Sequence, residues 1–223
     1  MHKSIDTSGD AQILQTMEFA SGAFQASSLV FYWVSENTEM FSFQGRGVPD
    51  DFLDRYRTGM HRFDPLVVRR LAPAKRRVAW LREEVPPVPR APIYIDFLGT
   101  YDIIDNLEFL FWDDDGPFAG LGVLRNRDDP PFEMITMDVG AIHKYFEFNM
   151  LMHPRRREAR LRAILARRYG LTQREIEAVS LLCAGASNSG IAETMGGRFT
   201  TVTTDIVNII TSSAWATGHP WCA

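Results

Sequence analysis

Two stretches of this 223-residue chain carry side chains whose type and spacing can do chemistry. Near the C-terminus, Arg198, Thr200, Thr201, Thr203, Thr204 and Asn208 crowd a short segment with groups that can hydrogen-bond to phosphates and base edges. Between Phe52 and Trp80, Tyr56 and Asp64 sit among aromatic and aliphatic residues, and small-molecule pockets are apolar with a few polar anchors. The competing reading of the aromatics is core packing, and that of Asp64 is an Asp-Pro turn or helix cap. Covalent and metal chemistry find less support. His2, His61, His143, His153 and His219 have no ligand-like spacing, and neither HExxH nor CxxC occurs. Gly116-x-x-x-Gly120-x-Gly122 is no dinucleotide fingerprint and reads as backbone geometry, while Asp113-Asp114-Asp115 reads as an exposed hairpin turn rather than a divalent-ion site. An enzyme is therefore not expected, nor is a cofactor.

Composition narrows the class further. At 45% hydrophobic and 23% charged residues the chain is globular rather than disordered. Its apolar run Ser27–Ser35 is too short to span a bilayer, and Asp6, Asp10 and Glu18 interrupt any signal or transit peptide at the start. Cys183 and Cys222 cannot supply a disulfide framework or a four-ligand zinc site. A cytoplasmic protein without membrane partners is expected. The net charge of −4 hides an asymmetry: residues 1–153 carry 15 basic against 23 acidic side chains, and residues 154–223 carry 9 against 5. Seven of those nine arginines lie within Arg155–Arg168, a block that suits either a polyanion contact or the solvated face of an amphipathic helix.

The elements that must position these groups can be read from periodicity. Ala11–Phe24 has a helical apolar face. Leu29–Trp33 and Met40–Phe43 read as strands joined by a hairpin at Ser35–Thr38. Asp50–His61 and Tyr94–Tyr101 read as helices around a proline-rich break at Val85–Pro92. Asn106–Trp112 and Phe118–Arg125 read as strands joined through Asp113–Pro117, and Phe132–Met152 as a helix. This order predicts an α+β fold in which helices cover an antiparallel sheet.

The C-terminal part is patterned differently. Thr172-x-x-Glu175 forms a capping box, followed by Ile176, Val179, Leu182 and Cys183 at helical spacing. Gly185 ends that helix, Ser187 caps a second one running to Met195, and Gly196-Gly197 makes a turn. A third segment, Thr200–Ser213, carries Val202, Ile206, Ile209 and Ile210 on one helical face. Three short helices with tight turns are what a helix-turn-helix requires.

Residues Leu171-Thr172-x-Arg174-Glu175, Leu181-Leu182-x-x-Gly185-x-Ser187-Asn188, Ile191-Ala192 and Thr201-Val202 resemble the C-terminal DNA-binding domain of LuxR-type transcription regulators. The resemblance implies a double-stranded DNA partner, reached through Arg198, Thr200, Thr201, Thr203, Thr204 and Asn208, and a dimer. The chain departs from the pattern where DNA is touched. Ser189-Gly190, Thr203, Asp205 and Ser212 stand where the family has charged or basic residues, and residues 171–223 carry Arg174 and Arg198 against four acids. A second reading therefore stays open: a DNA-silent relative that heterodimerises with a competent regulator.

The stretch Tyr56–Trp80 is similar to the central motif of the family's autoinducer-binding domain, an α/β/α sandwich that binds acyl-homoserine lactones. By that resemblance Asp64 receives the ligand's amide proton, Trp80 packs against its ring and Tyr56 lies near the family tyrosine. Asp51 and Phe52 occupy the region of a family tryptophan that donates to the lactone, and phenylalanine has no such donor. Phe52, Tyr56, Asp64 and Trp80 are thus the expected ligand contacts, for a small apolar ligand that is a lactone or something else. The implied organisation is a sensor domain at 1–153, a basic linker helix at 154–169 and a small all-α helix-turn-helix domain at 170–223.

Overall fold

The protein is described here from a computed structural model that covers residues 7–84 and 91–196. It divides into two compact units, residues 1–156 and 157–223.

The first unit is built on a five-stranded sheet. Helix α1 (Thr7–Phe24) leads into β1 (Ser28–Val34) and β2 (Met40–Arg46). Helix α2 (Asp50–Thr58), a short 3-10 turn at Met60–Arg62 and α3 (Val68–Leu71) follow. Next come β3 (Val78–Trp80), α4 (Leu81–Glu84), α5 (Ala91–Gly99), the long hairpin β4 (Ile103–Asp113) and β5 (Gly116–Asn126), and α6 (Val139–Leu151). The strand order is β2-β1-β5-β4-β3, with every neighbouring pair antiparallel.

Both faces of this sheet are covered. Every residue of β1 is buried, as a strand sandwiched between two helical layers requires. On one face, Ile13, Met17 and Phe24 of α1 and Ile142, Phe146 and Met150 of α6 pack on Phe31, Phe109, Phe111 and Leu121. On the other, Phe52 and Tyr56 of α2, Val68 and Leu71 of α3, and Tyr94 and Phe97 of α5 pack on Val30, Tyr32, Leu110 and Leu124. The result is a three-layer α/β/α arrangement.

Several element boundaries differ from the periodicity, each for a local reason. The predicted helix Asp50–His61 stops at Thr58, because Gly59 leaves the helical region and the chain tightens into a 3-10 turn. The predicted helix Phe132–Met152 is in fact a 3-10 turn at Phe132–Met134 followed by α6, whose start is fixed at Asp138. That carboxylate accepts from the amides of Gly140 and Ala141 at 2.9 and 3.2 Å, satisfying donors the helix cannot. The acidic turn Asp113–Asp115 is a hairpin turn, with Asp113 ion-paired to Arg156. Among the described residues, no group of three His, Cys, Asp or Glu side chains is placed to hold a metal ion, and no helix is long and apolar enough to cross a membrane.

In the second unit, α8 (Gln173–Cys183) and α9 (Asn188–Thr194) are joined by a turn through Gly185 at φ 82°, a left-handed conformation that glycine adopts without strain. The capping box is formed: the Thr172 amide donates to Glu175 at 2.7 Å and the Glu175 amide donates to the Thr172 hydroxyl at 3.4 Å. The Thr172 hydroxyl, donating to the Glu175 carboxylate at 2.7 Å, and the Thr172 amide together hold that carboxyl below its ordinary range. Ser187 caps α9 by accepting from the Gly190 amide at 3.2 Å. Ala178 packs on Ile191 and Ala192, while Ile176 and Val179 pack on Leu165 of α7 (Pro154–Tyr169), the helix that carries the arginine block.

One buried cation ties the first helix to the sheet. Arg125, only 1% exposed, donates to the carbonyls of Phe24 and Gln25 at 2.7 and 2.9 Å, so it closes the C-terminal end of α1 where carbonyls lack helical partners. Its guanidinium lies 3.9 Å from the centre of the Phe132 ring. Replacing it with methionine keeps the volume and removes both hydrogen bonds. At roughly 1.5 kcal/mol for each bond to a charged group, Arg125→Met is expected to cost about 3 kcal/mol in urea unfolding.

Candidate functional site

The face of the sheet under α2, α3 and α5 carries a small polar chamber lined by mostly buried residues. Its first carboxyl, Asp64, lies in the turn after the 3-10 segment. Its Oδ1 accepts from the Leu66 amide at 2.8 Å, the side chain closing the turn as Asp-Pro sequences favour. Its Oδ2 accepts from the Tyr56 hydroxyl at 2.6 Å, and the Tyr94 hydroxyl of α5 bonds to the same carboxyl. The turn role and the site role are therefore filled by different oxygens of one residue.

The second carboxyl belongs to Glu108 of β4. It accepts from the Tyr32 hydroxyl of β1 at 2.6 Å and is also hydrogen-bonded to Asn106. Among the described residues, no Lys, Arg, His or Trp side chain lines this chamber. Burial pushes the Asp64 carboxyl up from 3.8 to about 6, opposed by the hydroxyls of Tyr56 and Tyr94, the Leu66 amide and the charge of Arg70. Burial, reinforced by the charge of Asp64, raises Glu108 well above the ordinary carboxylate range. Burial likewise raises Tyr32, Tyr56 and Tyr94, so all three remain hydroxyl donors.

Two glycines of β5 make room for this arrangement. Gly122 pairs with Glu108, and a Cβ there would sit 3.1 Å from Glu108 Oε2 and 3.6 Å from Asn106 Oδ1. Gly120 pairs with Tyr32, and a Cβ there would lie 2.3 Å from the Tyr32 hydroxyl oxygen. The glycines read in the sequence as backbone geometry are thus cut-outs in the sheet surface across which Tyr32 and Glu108 lie.

The chamber is small, about 30 Å³, room for a water molecule or two. Phe43 and Tyr56 separate it from an open groove of about 480 Å³ between β2 and the α2–α3 region, and these two residues line both spaces. Phe43 sits on an irregular edge strand. Phe31 pairs with Gln44 and Trp33 with Phe41, so Ser42 and Phe43 together oppose Tyr32 in a β-bulge, with Ser42 at φ 51°.

The predicted ligand contacts separate into two groups. Phe52, Tyr56 and Asp64 meet at the chamber, Phe52 stacking on Phe97 at 5.1 Å between ring centres. Trp80 does not join them. Alternation along β3 turns Ala79 toward the chamber face and Val78 and Trp80 to the opposite one, where Trp80 meets Phe132 at 5.1 Å. Asp51, beside Phe52, accepts from the Tyr101 hydroxyl at 2.7 Å in an exposed position. The predicted DNA contacts Arg198, Thr200, Thr201, Thr203, Thr204 and Asn208 lie outside the described residues. Sequence reasoning missed Tyr32, Tyr94, Asn106 and Glu108. The signals were a lone acid inside the apolar strand Asn106–Trp112 and a pair of alternate glycines in the neighbouring strand.

The folded-state Asp64 carboxyl at about 6, against 3.8 for the ordinary group, holds its proton more tightly than the unfolded chain does. Its contribution to stability is therefore full below about pH 4 and lost as pH rises through about 6, and Glu108 shifts in the same direction. Between pH 4.5 and 7.5, wild type is expected to lose roughly 2 kcal/mol relative to Asp64→Asn, as measured by urea unfolding at both values. In the same assay Gly120→Ala should destabilise by about 1–3 kcal/mol, because the added Cβ would clash with a Tyr32 ring held in place by its hydrogen bond to Glu108.

Among solved structures, the chain is similar to SdiA of Escherichia coli, with 12% identity over 93% of this chain and 85% of that one, and a TM-score of 0.52. It is similar to CepR2 of Burkholderia cenocepacia, described as an N-acylhomoserine lactone-dependent LuxR family transcription factor. There the identity is 13%, covering 68% of this chain and 88% of that one, with a TM-score of 0.51. No protein-family model matches the sequence, and no curated protein matches it. At these identities the likeness establishes the fold: an antiparallel sheet with helices on both faces, as in these two proteins.

Proposed function

We propose that the chain is a ligand-responsive transcription regulator of the LuxR type. In this reading residues 1–153 are the sensor, 154–169 a basic linker helix and 170–223 a helix-turn-helix domain. The carrying observation is the buried Asp64–Tyr56–Tyr94 cluster, set under helices on the sheet of a fold shared with a lactone-dependent regulator. A ligand that enters the chamber meets Phe52, Tyr56 and Asp64 first, and its binding biases the placement of paired DNA-binding domains in a dimer. The capped pair α8 and α9 supports the output half, because two short helices joined by a glycine turn precede the threonine-rich segment that would enter the major groove.

A specific observation favours a second reading. Residues 171–223 carry two arginines against four acids, whereas phosphate neutralisation supplies most non-specific affinity for DNA. A chain that keeps the scaffold without the charge can act by heterodimerising with a competent regulator.

Fluorescence anisotropy of the intact chain with pooled genomic fragments, titrated from low to moderate salt, separates the two. A DNA-binding regulator enriches particular fragments and holds them at moderate salt. A heterodimerising relative shows no retention. On the regulator reading, Thr203→Lys adds one phosphate contact and steepens the log–log salt dependence by about one unit. An unchanged slope and affinity would mean that the segment does not reach DNA.

A further inference from the structure

The hydrogen-bond accounting of the chamber says what kind of ligand it can hold. Its tyrosine hydroxyls are already committed, Tyr32 to Glu108 and Tyr56 and Tyr94 to Asp64, and one N–H of Asn106 is engaged with Glu108. Its acceptors are not. Each carboxylate oxygen has more than one acceptor site, and Asn106 Oδ1, on a side chain only 3% exposed, has no hydrogen-bond partner. A donor-rich head group finds acceptors on three side chains.

Charge and shape point the same way. Two carboxyls share the space with no cation among the described residues that line it. Around them stand the rings of Tyr32, Phe43, Phe52, Tyr56 and Tyr94, and aromatic faces attract a desolvated cation. The arginines nearby, Arg57 and Arg69, line the outer groove instead, and Arg70 acts on Asp64 only through its charge. From the acids' own surroundings, α2 and α5 present tyrosines, β1 presents Tyr32 and β4 presents Asn106.

We propose that this chamber receives the protonated amine head of an amphipathic ligand whose chain lies in the outer groove, held by Asp64, Glu108 and Asn106 Oδ1. This rests on the ligand-binding reading given above and names the ligand class for that site. Before binding, both acids are favoured in their neutral forms by burial; an incoming ammonium favours both carboxylates, so the complex forms with release of protons to solvent. Affinity for the amine therefore rises with pH through the Asp64 transition near 6, while affinity for a neutral ligand of the same length does not.

The test is isothermal titration of the intact chain with n-hexylamine, 1-hexanol and N-hexanoyl homoserine lactone at pH 7.5. Hexylamine is expected to bind at least tenfold more tightly than hexanol, with an apparent enthalpy that changes with the ionisation enthalpy of the buffer. Glu108→Gln keeps the shape and is expected to lose at least tenfold for hexylamine and little for hexanol. Asp64→Asn, which leaves an acceptor oxygen for the Leu66 amide, should flatten the pH dependence between 5 and 7. Hexanol or the lactone binding as tightly as the amine, unaffected by Glu108→Gln, would overturn the amine proposal and leave the ligand-binding reading intact. Failure of all three probes on chain with a native circular dichroism spectrum would overturn the amine proposal and count against the ligand-binding reading as well.

Discussion

Two carboxyl groups buried on one face of a β-sheet are the constraint from which much of this molecule follows. An ionised carboxylate taken out of water without partners costs several kcal/mol, so Asp64 and Glu108 must be supplied with donors or kept protonated. The structure does some of each. Tyr32, Tyr56 and Tyr94 bring hydroxyls from β1, α2 and α5, so three separate elements have to dock in one arrangement to satisfy two side chains. The sheet has to cooperate too. Glu108 lies opposite Gly122 and Tyr32 opposite Gly120, and a slip of one residue between β1, β5 and β4 would set both against side chains.

Such a polar face needs a second source of stability, and the opposite side of the same sheet provides it. There Phe31, Phe109, Phe111 and Phe146 are fully buried among aliphatic side chains, with Phe109 and Phe146 meeting edge to face at 5.6 Å. His143 of α6 is also buried, but its ring is spent on a 2.9 Å contact with the Leu110 carbonyl, and burial lowers its pKa so that the neutral ring prevails. Arg125 fastens the end of α1 to β5 in the same spirit, a polar group used as a structural clamp. Stability and chemistry are thus divided between the two faces of one sheet.

How much of this was legible in the sequence depended on the range of the interaction. The layers were readable because hydrophobic periodicity is local, and Thr172–Glu175 and Ser187 act within their own helices. Asp64 and Tyr56 were singled out by resemblance to a family motif, and they lie in contact because a turn and a short helix join them eight residues apart. Glu108 was not legible, since its partner is 76 residues away and its neighbours Leu107 and Phe109 make the strand look uniformly apolar. Gly120 and Gly122 acquire meaning only through pairing with β1 and β4. Trp80 was expected beside a ligand by resemblance alone, and alternation along β3 turns it to the face of the sheet opposite the chamber. The start of α6 was obscured because apolar residues continue through Phe132–Met152, while the signal that ends the preceding turn is a single capping carboxylate at Asp138.

On the proposed ligand-binding reading, the wall of the chamber sets how this small site would respond to a ligand. Tyr56 both separates the chamber from the groove and donates the 2.6 Å hydrogen bond to Asp64. Phe43, its neighbour in the wall, packs against it from a bulged edge strand, the part of a sheet least restrained by pairing. A molecule entering from the groove has to move one of these rings, and moving Tyr56 strips Asp64 of a donor. The cost of that loss is large unless the entrant supplies a donor of its own, so the wall opens stably only to a ligand that replaces the bond it breaks. A ligand without a donor gains apolar contact in the groove and leaves the wall shut. On that reading the two outcomes would place α2 and β2 differently, which is the differential interaction a conformational signal requires.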